Sequence, residues 1–203
     1  SALPGIDPLI GGLFGLEPPQ WRKFVNLPSS IARIVFDNEI TGTTIYPVLR
    51  QFAESGAGTG GFFENPDNKY ITTSYDRGFG DVLELRGHAP TTPYTLAGDS
   101  SMTEGEVRYW SMCTNNSYTT EVTGCIFDEQ VPLDSDGNYH VVVSSPENRP
   151  ATATAECGVA WLPATPLPQT LLILRNMLPA DSFESSIQDA EAGSEEADLG
   201  DFY

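Results

Sequence analysis

The sequence predicts a mainly β fold, a β-sandwich or jelly roll with short peripheral helices, and three observations carry that expectation. Segments of alternating apolar and polar residues recur between 81 and 144 and again after 158, the period-two signature of half-buried strands. They are punctuated by turn residues, with 19 Gly and 16 Pro in 203 residues, about 17% against a usual ~12%. No self-similarity at a solenoid or propeller period is present. This length suits one domain, read as an irregular N-terminal arm over 1–29, a β-rich domain over 30–180 and an acidic C-terminal tail over 181–203.

Taken in order, the arm is interrupted by Pro18, Pro19 and Pro28, which stop any long element. Its apolar run near the front is broken by Pro4, Pro8 and paired glycines and reads neither as a signal peptide nor as a membrane helix. The arm nonetheless carries Leu3, Ile6, Leu9, Ile10, Leu13, Phe14, Leu16, Trp21 and Phe24. That is too much apolar surface for a free tail, so the arm covers this domain or docks on a neighbour. Ile31, Ile34, Val35, Phe36 and Ile40 fit neither helix nor strand period cleanly. Val48, Leu49 and Phe52 before Gly56 suit a short helix over 46–55.

From residue 59 the pattern turns to strands. Tyr70 to Tyr75 is rich in β-forming residues. Leu83 and Leu85 alternate with Val82, Glu84 and Arg86, which places the two leucines inward. In EVRYWSMCTN, Val107, Tyr109, Ser111 and Cys113 share one face, and Arg108, Trp110 and Met112 the other. A further strand lies at 122–128. The Asp136-Gly137 turn leads into an apolar strand, 139–144, whose spacing suggests a hairpin with Ile126 and Phe127. AECGVAWLP adds a strand, and TLLILR another, followed by a turn into a short helix around 180–190.

Charge excludes two classes of partner. Ten Lys+Arg against 28 Asp+Glu give a formal net charge of -18, which repels phosphate backbones and anionic lipid surfaces. Nucleic-acid binding and membrane insertion are therefore not expected. Eight of the acids fall from Asp181 onward. The tail they form reads as solvated, or as ordered only against a partner through Phe202 and Tyr203.

Three cysteines set the expected compartment. Cys113 and Cys125 lie in neighbouring strand segments around a polar turn, a spacing that lets them face each other across an antiparallel pair. A Cys113–Cys125 disulfide is expected, with pairing of Cys157 or three buried thiols as the alternatives. Cys157, left over, reads as a core filler. Asn115-Asn116-Ser117 fits a glycosylation acceptor.

No reaction is disclosed. The DSDGN run starts like a calcium loop, but its Gly is misplaced for an EF-hand, and whether another hard cation binds there stays open. GAGTGG at 56–61 lacks the lysine of a phosphate loop. His88 lies just past a strand, where a general base could sit, and His140 reads as a strand-face residue. No carboxylate pair stands out among 28 acids, and no catalytic residue or cofactor is nominated. Trp21, Phe24, Trp110, Phe202 and Tyr203 are the candidate interaction residues.

The run DNKYITTSYDRGFGDVLELRGHAPTTP followed by VRYWSMC resembles poorly characterised secreted proteins, especially bacterial ones. It is similar, more remotely, to the jelly-roll-like domain of unknown function 1214. The matching features are Tyr70, the loop from Gly87 to Pro90 and the strand Arg108-Tyr109-Trp110-Ser111, within about 70–160. The resemblance implies a β-sandwich and an exported location, with no established catalytic residues. The chain departs from it in lacking a second copy or companion domain and in its acidic tail. The expected function is an extracytoplasmic structural or protein-interaction domain, extracellular, periplasmic or at the cell surface, working as a subunit of a larger assembly. Its partner would be another protein or a second copy of itself. A carbohydrate-binding module or a carboxylate-dependent hydrolase is the alternative.

Overall fold

The chain folds, in a computed structural model, into two β-sheets packed face to face. The residues described are 19, 21–23, 67–100, 103–117, 119, 121–191 and 195–202. Eight strands run among them: β1 (Arg22–Lys23), β2 (Asn68–Asp76), β3 (Val82–His88), β4 (Tyr109–Asn116), β5 (Val122–Phe127), β6 (Asn138–Ser144), β7 (Ala160–Pro163) and β8 (Gln169–Met177). One sheet has the order β1-β2-β8-β4-β5 and the other β3-β6-β7. Every pairing is antiparallel except that of β6 with β7. The mainly β expectation holds, and the helical content described is short 3-10 turns and one helix, α1 (Glu195–Leu199).

Side-chain alternation explains the sandwich. Ile71 and Tyr75 of β2, Trp110 and Met112 of β4, and Leu172 and Leu174 of β8 are buried on one inner face. Tyr139, Val141 and Val143 of β6 and Leu162 of β7 meet them in one core, with Leu83 and Leu85 of β3 packed against it as expected. The Trp110 and Tyr139 rings touch across the gap, 5.9 Å between centroids. The sheets also close at their margin, where Thr114 donates its hydroxyl to the Pro163 carbonyl at 2.7 Å. A Cβ at Gly124 would stand 2.7 Å from Pro163 Cδ, so a side chain there would push β5 off β7.

β6 does not form a hairpin with β5, contrary to the sequence expectation. β5 pairs β4 in the other sheet, and β6 lies between β3 and β7. The Asp136-Gly137 turn itself is present, with Gly137 at φ 82, but its short closing bridge is Leu133 to Tyr139. The parallel step from β6 to β7 needs a long crossover. Residues 145–159 supply it and cover a second small cluster of Val142, Ala153, Val159 and Trp161. Arg149 lies 4.4 Å over the Trp161 ring.

Two further expectations are corrected. Residues 180–190 form turns rather than a helix, and the helix in this region is α1. The acidic C-terminal stretch is not free: Phe183, Ile187, Ala190 and Leu199 are buried in the core of their own chain. The reason is that its apolar residues, isolated in sequence, converge on one side. Ala180 is anchored by its N–H to the Glu106 carbonyl, and Ser186 caps the following turn through Asp189. The apolar stretch at 31–40, the expected helix at 46–55 and most of the arm lie outside the described residues.

Candidate functional site

Two surface features gather the polar and exposed apolar groups of interest. The first is the loop between β3 and β4. Its turn is closed by the N–H of Ala97 on the Tyr94 carbonyl and of Gly98 on the Thr95 carbonyl. Asp99 accepts the Tyr94 N–H at 3.1 Å. Glu129, in the 3-10 turn after β5, accepts the Thr95 hydroxyl at 2.9 Å and the Leu96 N–H at 3.0 Å. Desolvation raises the pKa of Glu129, but hydrogen bonds from Leu96, Thr95 and Ala97 outweigh it and hold the carboxyl below its ordinary value. At the loop's base, Glu106 accepts the Thr91 N–H at 2.8 Å and its hydroxyl at 3.1 Å. The ordered loop presents Tyr94, 57% exposed, and Leu96, 74% exposed. Neither residue was singled out in the sequence, where both sit in a polar, Pro-rich stretch.

The second feature is an open cleft of about 680 Å³ at the end of the smaller sheet. Arg86, Gly87 and His88 of β3, Leu133 and Asp134, Asn138, Tyr139 and His140 of β6 and its turn line it, together with Cys157, Gly158, Gly200 and Asp201. The strand register places them: Arg86 opposes His140, Gly87 opposes Tyr139 and His88 opposes Asn138. His88 Nδ1 is 3.3 Å from Asn138 Oδ1, and Phe202 packs edge-on against its ring at 5.1 Å. His88 closes β3 rather than sitting in the following loop. His140 stands on the strand face as read, 3.6 Å from Glu84. Asp134 is committed to its turn: Oδ1 accepts the N–H groups of Asp136 and Asn138, and Oδ2 the Asn138 side chain. Hydrogen bonds from the Asn138 backbone and side chain hold its carboxyl below the ordinary range. Among the described residues no group of three His, Cys, Asp or Glu stands close enough to hold a metal ion.

The sequence-nominated residues separate. Cys113 and Cys125 face each other from β4 and β5, directly paired with Cα atoms 4.1 Å apart, and are joined in a disulfide. Cys157 is exposed rather than a core filler, because the crossover's 3-10 turn carries it on the outside of the sheet. Trp110, 2% exposed, is a core residue rather than a surface one, since its strand face turns toward the second sheet. Trp21 and Phe202 pack against the same core. Phe24 and Tyr203 lie outside the described residues. Asn115 is buried within β4, so its side chain is not placed for a glycan.

This is a disulfide-linked β-sandwich whose described residues include no helix long and apolar enough to cross a membrane. No protein-family model matches the chain, and a search of curated proteins finds no match. Among solved structures, it is similar to an uncharacterized protein from Burkholderia cenocepacia, at 21% identity and a TM-score of 0.40, over 58% of this chain and 27% of that one. It is also similar to a Vibrio parahaemolyticus protein, at 18% identity and a TM-score of 0.44, over 70% of this chain and 33% of that one. The chain thus spans a third or less of the length of either.

Proposed function

We propose that the chain is an extracytoplasmic structural or protein-interaction domain, a subunit of a larger assembly, and that it meets its protein partner through the loop carrying Tyr94 and Leu96. The observation that carries this reading is the cost in polar groups at which the loop is ordered. Two carboxylates and a set of turn hydrogen bonds hold in place a loop whose outward side chains are an aromatic and a leucine. Pre-ordering lowers the entropy cost of the binding step, and an exposed tyrosine on a fixed loop is a usual anchor of protein interfaces, with Leu96 beside it adding apolar surface. Placement outside the cytoplasm is supported by the Cys113–Cys125 disulfide, since such bonds persist in oxidising compartments. Kinship with exported proteins and with the domain of unknown function 1214 belongs to the same proposal and rests on the Arg108-to-Ser111 strand and its neighbours.

The test is a Tyr94→Ser/Leu96→Ser variant compared with the wild type by sedimentation of the purified protein and by cross-linking in the native exported fraction. The variant should keep the wild-type circular dichroism and thermal midpoint while losing the self-association or the specific cross-linked partner. Equal association by both proteins would defeat the assignment of the loop.

A further inference from the structure

We propose that the free edge of β3 pairs with the same edge of a second copy of the chain, antiparallel and about a two-fold axis at Leu85, so that two three-stranded sheets become one. This surface is separate from the Tyr94 loop and does not depend on its role.

β3 ends the order β3-β6-β7, so β6 takes only one of its two sides. The register shows which backbone groups that side uses. Leu83 opposes Val143, Leu85 opposes Val141 and Gly87 opposes Tyr139, and in the same phase the Ala89 N–H donates to the Gly137 carbonyl at 3.0 Å. Antiparallel pairs alternate between bonded and non-bonded positions. Leu83, Leu85 and Gly87 therefore spend their backbone groups on β6, while Val82, Glu84 and Arg86 point theirs out along the edge. No described residue makes a backbone hydrogen bond to those outward groups. Such a row is a template for another strand. The seven residues of β3 hold no proline, and their register with β6 is unbroken. The other edge strands described differ: β1 has two residues, β7 ends in Pro163, and β5 shifts register against β4.

Charge selects the occupant and the register. Charged side chains ordinarily guard an edge, but those of β3 are complementary to themselves. With the axis at Leu85, Glu84 of each copy stands directly opposite Arg86 of the other, at positions whose outward backbone groups exchange ladder bonds. Sliding the axis by one residue sets Glu84 against Glu84 or Arg86 against Arg86, and like charges directly opposite destabilise a pair. Both side chains are free to make the exchange: they lie on the solvent face, 66% exposed for Arg86 and 57% for Glu84, and meet each other within one strand only at 3.4 Å. On the other face the two Leu85 side chains come together. Leu83 and Leu85 are only partly buried in the single chain, and pairing covers them. Phe202 packs against the His88 ring, so the pairing spans Leu83 to Gly87. A contact of this kind uses the same patch on both copies and closes at two.

Sedimentation of the purified full chain over a range of concentrations should show a monomer–dimer equilibrium. Glu84→Arg and Arg86→Glu, each alone, set like charges opposite one another and should weaken the dimer at least roughly tenfold while keeping the wild-type circular dichroism. Mixed in equal amounts, the two variants regain opposite charges at both positions and should form a heterodimer that neither forms with itself. Glu84→Pro removes an N–H that points away from β6, so it should abolish the dimer and leave the β6 amides protected from exchange. The edge contact does not involve Tyr94 or Leu96, so Tyr94→Ser/Leu96→Ser should keep the dimer while losing its cross-linked partner. A photo-reactive residue in place of Val82 should cross-link to a second copy in the native exported fraction. The proposal is overturned if the wild type stays monomeric throughout, if a charge variant or Glu84→Pro dimerises as tightly as the wild type, or if the mixture associates no better than its components. Loss of the dimer in Tyr94→Ser/Leu96→Ser, or a cross-link from position 82 to a different protein, overturns it as well.

Discussion

Asp128 and Glu129 are neighbours in sequence whose carboxyl groups are driven in opposite directions. Desolvation pushes Asp128 up despite a hydrogen bond from the Glu129 N–H at 2.8 Å. Glu129, bonded to the loop, is held below its ordinary 4.5. For Glu129 the folded value is the lower one, so its contribution is fully present above pH 4.5 and is lost as pH falls through the folded value. Asp128 acts with the opposite sign, because its charged form is the disfavoured one in the fold, and protonation relieves it. A global melting curve would mix the two. The Leu96 amide reports Glu129 alone, since its N–H points at that carboxylate. Its proton shift is expected to titrate with a midpoint below 4.5, and Glu129→Gln should abolish that titration and raise amide exchange at 95–97 while leaving β8 protected. An unchanged Leu96 titration in the variant would remove Glu129 from its place as the loop's anchor.

At the scale of elements, β4 and β5 are joined both by ladder hydrogen bonds and by the disulfide at directly opposed positions. The bond closes a short loop, with the cysteines 12 residues apart in sequence, and acts chiefly by restricting the unfolded chain. Cys113→Ser/Cys125→Ser should lower unfolding stability by about 2–4 kcal/mol, read from urea denaturation. A loss confined to tenths of that would mean that the unfolded chain around these cysteines is already restricted without the bond. The free Cys157 sits on the crossover and takes no part in this pair, so Cys157→Ser should leave the midpoint where it is.

At the scale of the whole molecule, the C-terminal stretch completes the core instead of trailing from it. Ile187 is fully buried, Leu199 nearly so, and Phe202 packs edge-on against Phe183 with centroids 4.9 Å apart. Ile187→Ala should therefore cost about 2–5 kcal/mol of global stability, in a single unfolding transition followed by both Trp fluorescence and far-ultraviolet circular dichroism. An unaltered midpoint would show that this segment is dispensable to the sandwich. Asp181, Glu184, Asp189, Glu191 and Asp201 tolerate this packing because they are exposed while the apolar residues between them turn inward.

Local chemistry by itself determined several features of this protein. Period-two alternation marks strands at 81–86, 106–113, 122–128 and 139–144, within a few residues of β3 to β6, and turns Leu83 and Leu85 inward, because successive strand side chains point to opposite faces. Asp136-Gly137 specifies a turn, since Gly reaches the positive φ that the turn needs. Cys113 and Cys125 are matched by flanking strands that lie next to each other in the chain. Everything that joins distant segments was decided only by the tertiary structure. Alternation says that a strand has an apolar face but not which strand lies beside it, so the partners of β6 could not be read from its spacing to β5. Trp110 looks like a surface aromatic until the second sheet closes over it, and Cys157 looks like a core residue until the crossover carries it outside. Phe183, Ile187 and Leu199 look isolated in an acidic run because their common side exists only once the chain has turned back on the sandwich. Neither the loop presenting Tyr94 and Leu96 nor the cleft at the end of β3 and β6 has a local signature: each is assembled from residues tens of positions apart, by contacts that only the folded chain makes.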